Sequence, residues 1–327
     1  MLPWLAAPLT AGRTLRGHAT LIHGPSGVGQ FELAYRLALE ALCEDRKQPE
    51  PCGVCTGCQL MNAHAHPDFL LLAPAALREG LGWTIDDDSA KRDKPSRQIR
   101  IGEIRAAIDW THTTASRGGA KVLLIHSAEA MNEVSANALL KTLEEPGASQ
   151  RLWLTTAQAQ RLLPTLRSRC QHLPVPTPAA AEAVAWLTTQ GVTEPLVLLA
   201  AAGGRPLDAF ALHADGVDGA RWRALPRQLR QGDATAMIPW GVARAVDSLQ
   251  RLAHDLACRA VGAPPRFFAV ADLPESPVLT GILAWQRALK RVARHAEHPW
   301  HAALTIEALT SEGAQMWADG RTTLQGR

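Results

Sequence analysis

The sequence has no apolar run near the roughly 18 residues that a bilayer-crossing helix needs, so no membrane span is expected. It lacks a basic start followed by an apolar core, which argues against a secretory leader and makes the cytoplasm the expected compartment. An excess of one charge is missing too. Lys and Arg number 34 against 31 Asp and Glu, and a net charge of +3 is too small to argue for nucleic acid by itself. Cysteine is scarce, six in all, yet four fall between positions 43 and 58. Without an export signal, that clustering favours metal over disulfide. What remains is the composition of a soluble globular protein, 46% apolar and 20% charged. Its 327 residues are too many for one typical core and imply two or three domains.

Two further absences are local. Residues 24–29 carry the glycine frame of a phosphate-binding loop, G-x-x-x-x-G, between a strand candidate at 19–22 and a helical pattern at 32–42. Backbone N–H groups around Gly24, Gly27 and Gly29 are the expected phosphate cradle. A working loop continues with Lys, which reaches the β- and γ-phosphates, and then Ser or Thr, which holds Mg²⁺. Gln30 and Phe31 stand there instead. The apolar run at 121–125 is the natural second ATPase strand and should end in a metal-binding Asp. His126 and Ser127 occupy that end, with Glu129 farther on. Losses at both motifs argue together against hydrolysis in cis. Weak nucleotide binding stays open, because the loop's N–H groups need no side chain.

Cys43, Cys52, Cys55 and Cys58 form interlocked C-x-x-C units on a loop with Pro51, Gly53 and Gly57, and Cys43 joins them from the preceding helix end. Tetrahedral Zn²⁺ takes four such ligands, and four thiolates leave no open position, so the expected role is structural. An iron–sulfur centre would usually add a Cys-Pro soon after, which is missing. Unliganded thiols, or His64 or His66 in place of Cys43, are the other readings. A zinc-ribbon nucleic-acid binder would interleave aromatic and basic residues, and 52–60 contains neither. The polar stretch 73–98, with Asp86-Asp87-Asp88 and Lys91-Arg92-Asp93-Lys94, reads as an irregular surface loop of mixed charge.

Residues 136–146, Ala-Asn-Ala-Leu-Leu-Lys-Thr-Leu-Glu-Glu-Pro, place Ala136, Leu139, Leu140 and Leu143 on one helical face that Pro146 ends. A strand candidate at 152–157 follows, then Ser168-Arg169-Cys170. With the cysteine spacing, these residues resemble the AAA+ subunits of bacterial clamp loaders, over 21–170. The resemblance implies a RecA-like α/β AAA+ domain at 1–174 with a zinc-binding insertion at 43–58. A helical lid at 175–215 and an all-α helical collar at 216–327 would follow, with the proline-rich 174–178 as hinge. It also implies that Arg169 acts as an arginine finger in trans on the ATP of a neighbouring subunit, with Arg167 a weaker candidate. A guanidinium aimed at a γ-phosphate neutralises charge that grows in the transition state. The implied partners are the gamma/tau ATPase subunits and delta in a hetero-pentameric ring, with the sliding clamp and primed DNA reached through that complex. The chain itself is then a stator without turnover; an active ATPase with atypical motifs is the alternative.

The last third is helical in pattern. Val242, Val246, Leu249, Leu252 and Leu256 line one helix, Ile282, Trp285, Leu289 and Val292 a second, and 302–317 a third. Arg287, Lys290, Arg291 and Arg294 form a basic face on the second, read as solvated rather than DNA-bound. Gly203-Gly204-Arg205 stands where related motors place a nucleotide sensor, and helix capping is the simpler reading.

Overall fold

The structure, a computed structural model, describes residues 1–45, 50–83, 95–147, 149–294 and 301–322, except the side chains of 318–322. The charged runs at 86–88 and 91–94 lie outside the described residues. The chain divides into two compact units, Met1–Thr177 and Pro178–Arg327.

The first unit is built on a parallel sheet. Its elements are α1 (Ala6–Thr14), β1 (Ala19–His23), α2 (Gln30–Leu42), α3 (Thr56–Asn62), β2 (Phe69–Leu72), α4 (Ala75–Arg78), α5 (Ile101–Thr111), β3 (Lys121–Ile125), α6 (Glu133–Glu144), β4 (Gln150–Thr156), α7 (Pro164–Arg167) and β5 (Gln171–Pro174). The strands lie in the order β2-β3-β4-β1-β5. The apolar runs at β1, β3 and β4 are nearly continuous because these strands are central and covered on both faces. Leu21, Leu123, Ile125, Leu152 and Leu154 share one core with Ile104 and Ala107 of α5 and Ala136, Leu139 and Leu143 of α6. Helix α2 packs on β1, β3 and β4, and α1 packs on α2 and β5. Pairing of Ile22 with Thr155 and with Leu173 fixes the register of β1 between its neighbours.

Four elements have weak sequence signals. Strand β5 buries only Leu173, so no apolar run announces it. Helices α3 and α7 are short, and α3 starts inside the cysteine cluster. Helix α4 occupies part of the stretch that reads as irregular. The apolar segment 1–5 packs onto this unit: the Trp4 indole N–H donates to Val28 O at 2.7 Å.

The second unit is helical: α8 (Ala180–Thr189), α9 (Pro195–Ala201), α10 (Pro206–Ala214), α11 (Gly219–Gln231), α12 (Gly241–Ala260), α13 (Leu279–Arg294) and α14 (Ala302–Thr322). Among the described residues, no single helix is long and apolar enough to cross a membrane. Leu187, Leu198, Leu212, Leu249, Leu252, Trp285 and Ile306 all enter one shared core. One buried carboxylate organises the connection after α12. Asp255, fully buried, accepts the backbone N–H groups of Arg266, Phe267 and Phe268 at 2.9, 2.7 and 2.8 Å. That seats Phe268 against Trp222, with ring centroids 4.6 Å apart and nearly parallel. Replacing Asp255 by Ala leaves three donors unmatched and should lower unfolding free energy by about 3–5 kcal/mol in urea titrations. A change below about 1 kcal/mol would show that the loop holds without it.

Candidate functional site

The glycine loop follows β1 at its carboxyl end, the usual position for a ligand crevice in a parallel sheet. Gly24 passes so close to β5's exit that a Cβ there would lie 2.1 Å from the Val175 carbonyl oxygen, so no other residue fits. Gly27 and Gly29 are left-handed, with φ of 72° and 100°, and Gly29 opens α2. The backbone therefore keeps the course of a phosphate loop. Two of its carbonyls are engaged by a side chain. The buried Gln30 side chain turns back and donates from Nε2 to the carbonyls of Gly24 and Pro25 at 2.7 and 2.6 Å. The Gly24 N–H is itself engaged, donating to Thr156 O at 3.3 Å.

The two positions that would hold Mg²⁺ meet each other. The rings of Phe31 and His126 lie 5.0 Å apart, edge to face. Phe31 also stacks on Tyr35 and meets Trp83 edge-on. His126 Nδ1 lies 2.7 Å from Thr155 Oγ1, and burial pushes its pKa down to about 4, so the ring is neutral near pH 7. Glu129, a carboxylate three residues beyond His126, accepts the Ala157 N–H at 3.2 Å. A triphosphate with its metal would find no cation at Gln30, and no hydroxyl or carboxylate at Phe31 or His126.

Arg169 sits at the opposite edge of the sheet. In a parallel sheet every strand points the same way, so helices running back end at the amino edge. There α6 ends at Glu144 and the α7–β5 connection presents Arg169. Gln171 pairs with Thr20, so the strand separating this edge from Gly24 spans about 13 Å. The guanidinium donates from Nε to Glu144 Oε1 at 2.7 Å, also from Nη2 to that oxygen, and from Nη1 to Thr165 O at 2.8 Å. Arg167 donates to Ala159 O at 3.5 Å. Cys170 of the same motif is buried, and burial pushes its thiol up to about 12, which marks it as packing.

The four cysteines converge. Their sulfurs all lie within 4.8 Å of one another, with Cys43 Sγ 3.7 Å from Cys52 Sγ and 3.9 Å from Cys55 Sγ. A tetrahedron with Zn–S bonds of about 2.3 Å has edges of about 3.8 Å, so the donor set matches a four-coordinate ion in kind and spacing. None is in a disulfide. Backbone N–H groups of Cys52, Cys55 and Cys58 donate to the sulfurs of Cys43, Cys52 and Cys55 at 3.3–3.4 Å, as suits thiolates. Burial pushes the Cys58 thiol up to about 12, a burden that a bound cation would relieve. Gly57 permits the approach of α3 to α2, since a Cβ would lie 2.5 Å from Leu42 O. His64 stacks on Trp83, and His66 Nδ1 accepts the Asp68 N–H, so neither joins the sulfurs.

Arg205 donates to Ala202 O at 2.7 Å and pairs with Asp208 at 3.0 Å, after Gly203 and Gly204 close α9. Arg287, Lys290, Arg291 and Arg294 are all exposed on α13. Sequence reasoning passed over Gln30 as a loop brace and Glu144 as the partner of Arg169. The second had a signal, since a carboxylate in a helix's last turn opposes the dipole and calls for a cation.

A family model described as DNA polymerase III, delta subunit, matches residues 7–179. A DNA polymerase III subunit delta' of Pseudomonas aeruginosa is 38% identical over 221 residues, covering 66% of this chain and 62% of that protein, so the match spans under two thirds of its length. The subunit delta' of Escherichia coli K12 is 33% identical over 274 residues, 76% of each chain. A DNA polymerase III subunit tau of Salmonella typhimurium is 34% identical over 170 residues, 52% of this chain and 23% of that protein. On the domain-wide match and these identities, the chain belongs to the DNA polymerase III subunit delta' family.

Proposed function

We propose that this chain is a non-hydrolysing, stator-like subunit of a DNA polymerase III clamp loader, working in the cytoplasm. The observation that carries the reading is the braced phosphate loop: Gln30 bonds its carbonyls, and Phe31 meets His126 where Mg²⁺ would sit. A loop closed in this way keeps its shape without ligand, so the domain has no nucleotide-driven cycle of its own. The resemblance assigns the RecA-like AAA+ role to the first unit, the lid to α8–α10 and the collar to α11–α14. The gamma/tau subunits and delta complete the hetero-pentamer that opens the sliding clamp for primed DNA.

In this role Arg169 reaches the ATP of the neighbouring subunit. Topology supports action in trans, because the amino edge of the sheet faces away from the chain's own loop. A finger contributes roughly 10³–10⁵ in rate at the site it serves. Arg169→Ala should therefore abolish that site's share of ATP turnover in the reconstituted complex while assembly persists. Unchanged turnover would reject the finger.

The cysteines act in architecture, not chemistry. Zn²⁺ held by Cys43, Cys52, Cys55 and Cys58 would pin the end of α2 to the start of α3. Purified protein should hold one zinc per chain by metal analysis, and Cys55→Ser should lower Tm by roughly 5–10 °C. Metal-free protein with an unaltered melt would contradict the assignment.

A further inference from the structure

We propose that Glu144 is a latch that holds Arg169 back from the neighbouring nucleotide until the subunits close, a role that rests on the finger reading above. The pair has the features of a releasable contact. Two guanidinium nitrogens share one carboxylate oxygen, and a third bonds Thr165 O, so three sides of the finger are committed. Both side chains remain partly open to solvent, 34% for Arg169 and 49% for Glu144. The contact is thus accessible to a competing anion.

The placement of Glu144 also fits this role. It is the last residue of α6, where backbone carbonyls already concentrate negative charge. A carboxylate there is unfavourable unless a cation answers it. Arg169, two residues before β5 at the same sheet edge, is that cation. A γ-phosphate on a neighbour would offer the guanidinium more negative charge than one carboxylate does, and Glu144 would return to water. The latch thus sets the fraction of free finger and raises the apparent dissociation constant for ATP in proportion.

The test compares ATP turnover by reconstituted complexes carrying wild-type chain, Glu144→Gln, Arg169→Ala or both. Exposed ion pairs are weak, so Glu144→Gln should lower the KM for ATP by about two- to five-fold with kcat unchanged. The gain should fade in high salt, which already screens the wild-type pair, and should vanish in the Arg169→Ala background. If Arg169→Ala lowers turnover but Glu144→Gln leaves KM unaltered, the latch is wrong and the finger stands. If Glu144→Gln lowers kcat, Glu144 positions the finger instead of restraining it, which also overturns the latch. If Arg169→Ala has no effect, the finger reading fails and the latch with it.

Discussion

The contact on which this molecule's character depends is the return of the Gln30 amide into its own glycine loop. Phosphate loops are open rings of backbone donors that wait for an anion, with a cationic side chain to assist. Here the side chain at that position is neutral and donates to two loop carbonyls. The neighbouring metal position is filled by aromatic packing of Phe31 on His126, whose ring burial keeps neutral. On the proposed reading, these contacts take the ligand's place as the source of local order. The Trp4 bond to Val28 braces the same loop from the chain's opening segment.

The parallel sheet then separates two regions by direction alone. Loops that follow strands gather at the carboxyl edge, where the closed phosphate loop lies. Connections into strands gather at the amino edge, where Glu144 and Arg169 meet. A residue at that second edge is poorly placed for its own loop, and the proposed action in trans follows from that. On the proposed reading, a metal held by the cysteine cluster would staple the end of α2 to the start of α3.

Much of this was legible in the residues. The central strands read as apolar runs because they are covered on both faces, and α6 read as an amphipathic helix because one face alone is buried. The cysteine spacing gave the convergence of the sulfurs because four chelating side chains on a tight loop have few other arrangements. What escaped was decided by pairing across the fold. Strand β5 exists because β1 offers it an edge, with only Leu173 buried as a signal. Gln30 looked like a lost lysine, and only the loop's curvature shows that its amide reaches Gly24 and Pro25. Glu144 and Arg169 stand 25 positions apart, and no local period links them.

The most direct test of the closed loop is calorimetric titration of the isolated chain with Mg-ATP, with phosphate release followed in parallel. The account predicts no turnover and weak or no binding, because Gln30 brings no positive charge to the phosphates and neither Phe31 nor His126 offers an oxygen to Mg²⁺. Tight binding with turnover that falls on substitution of Gln30 would contradict it and identify the chain as a motor.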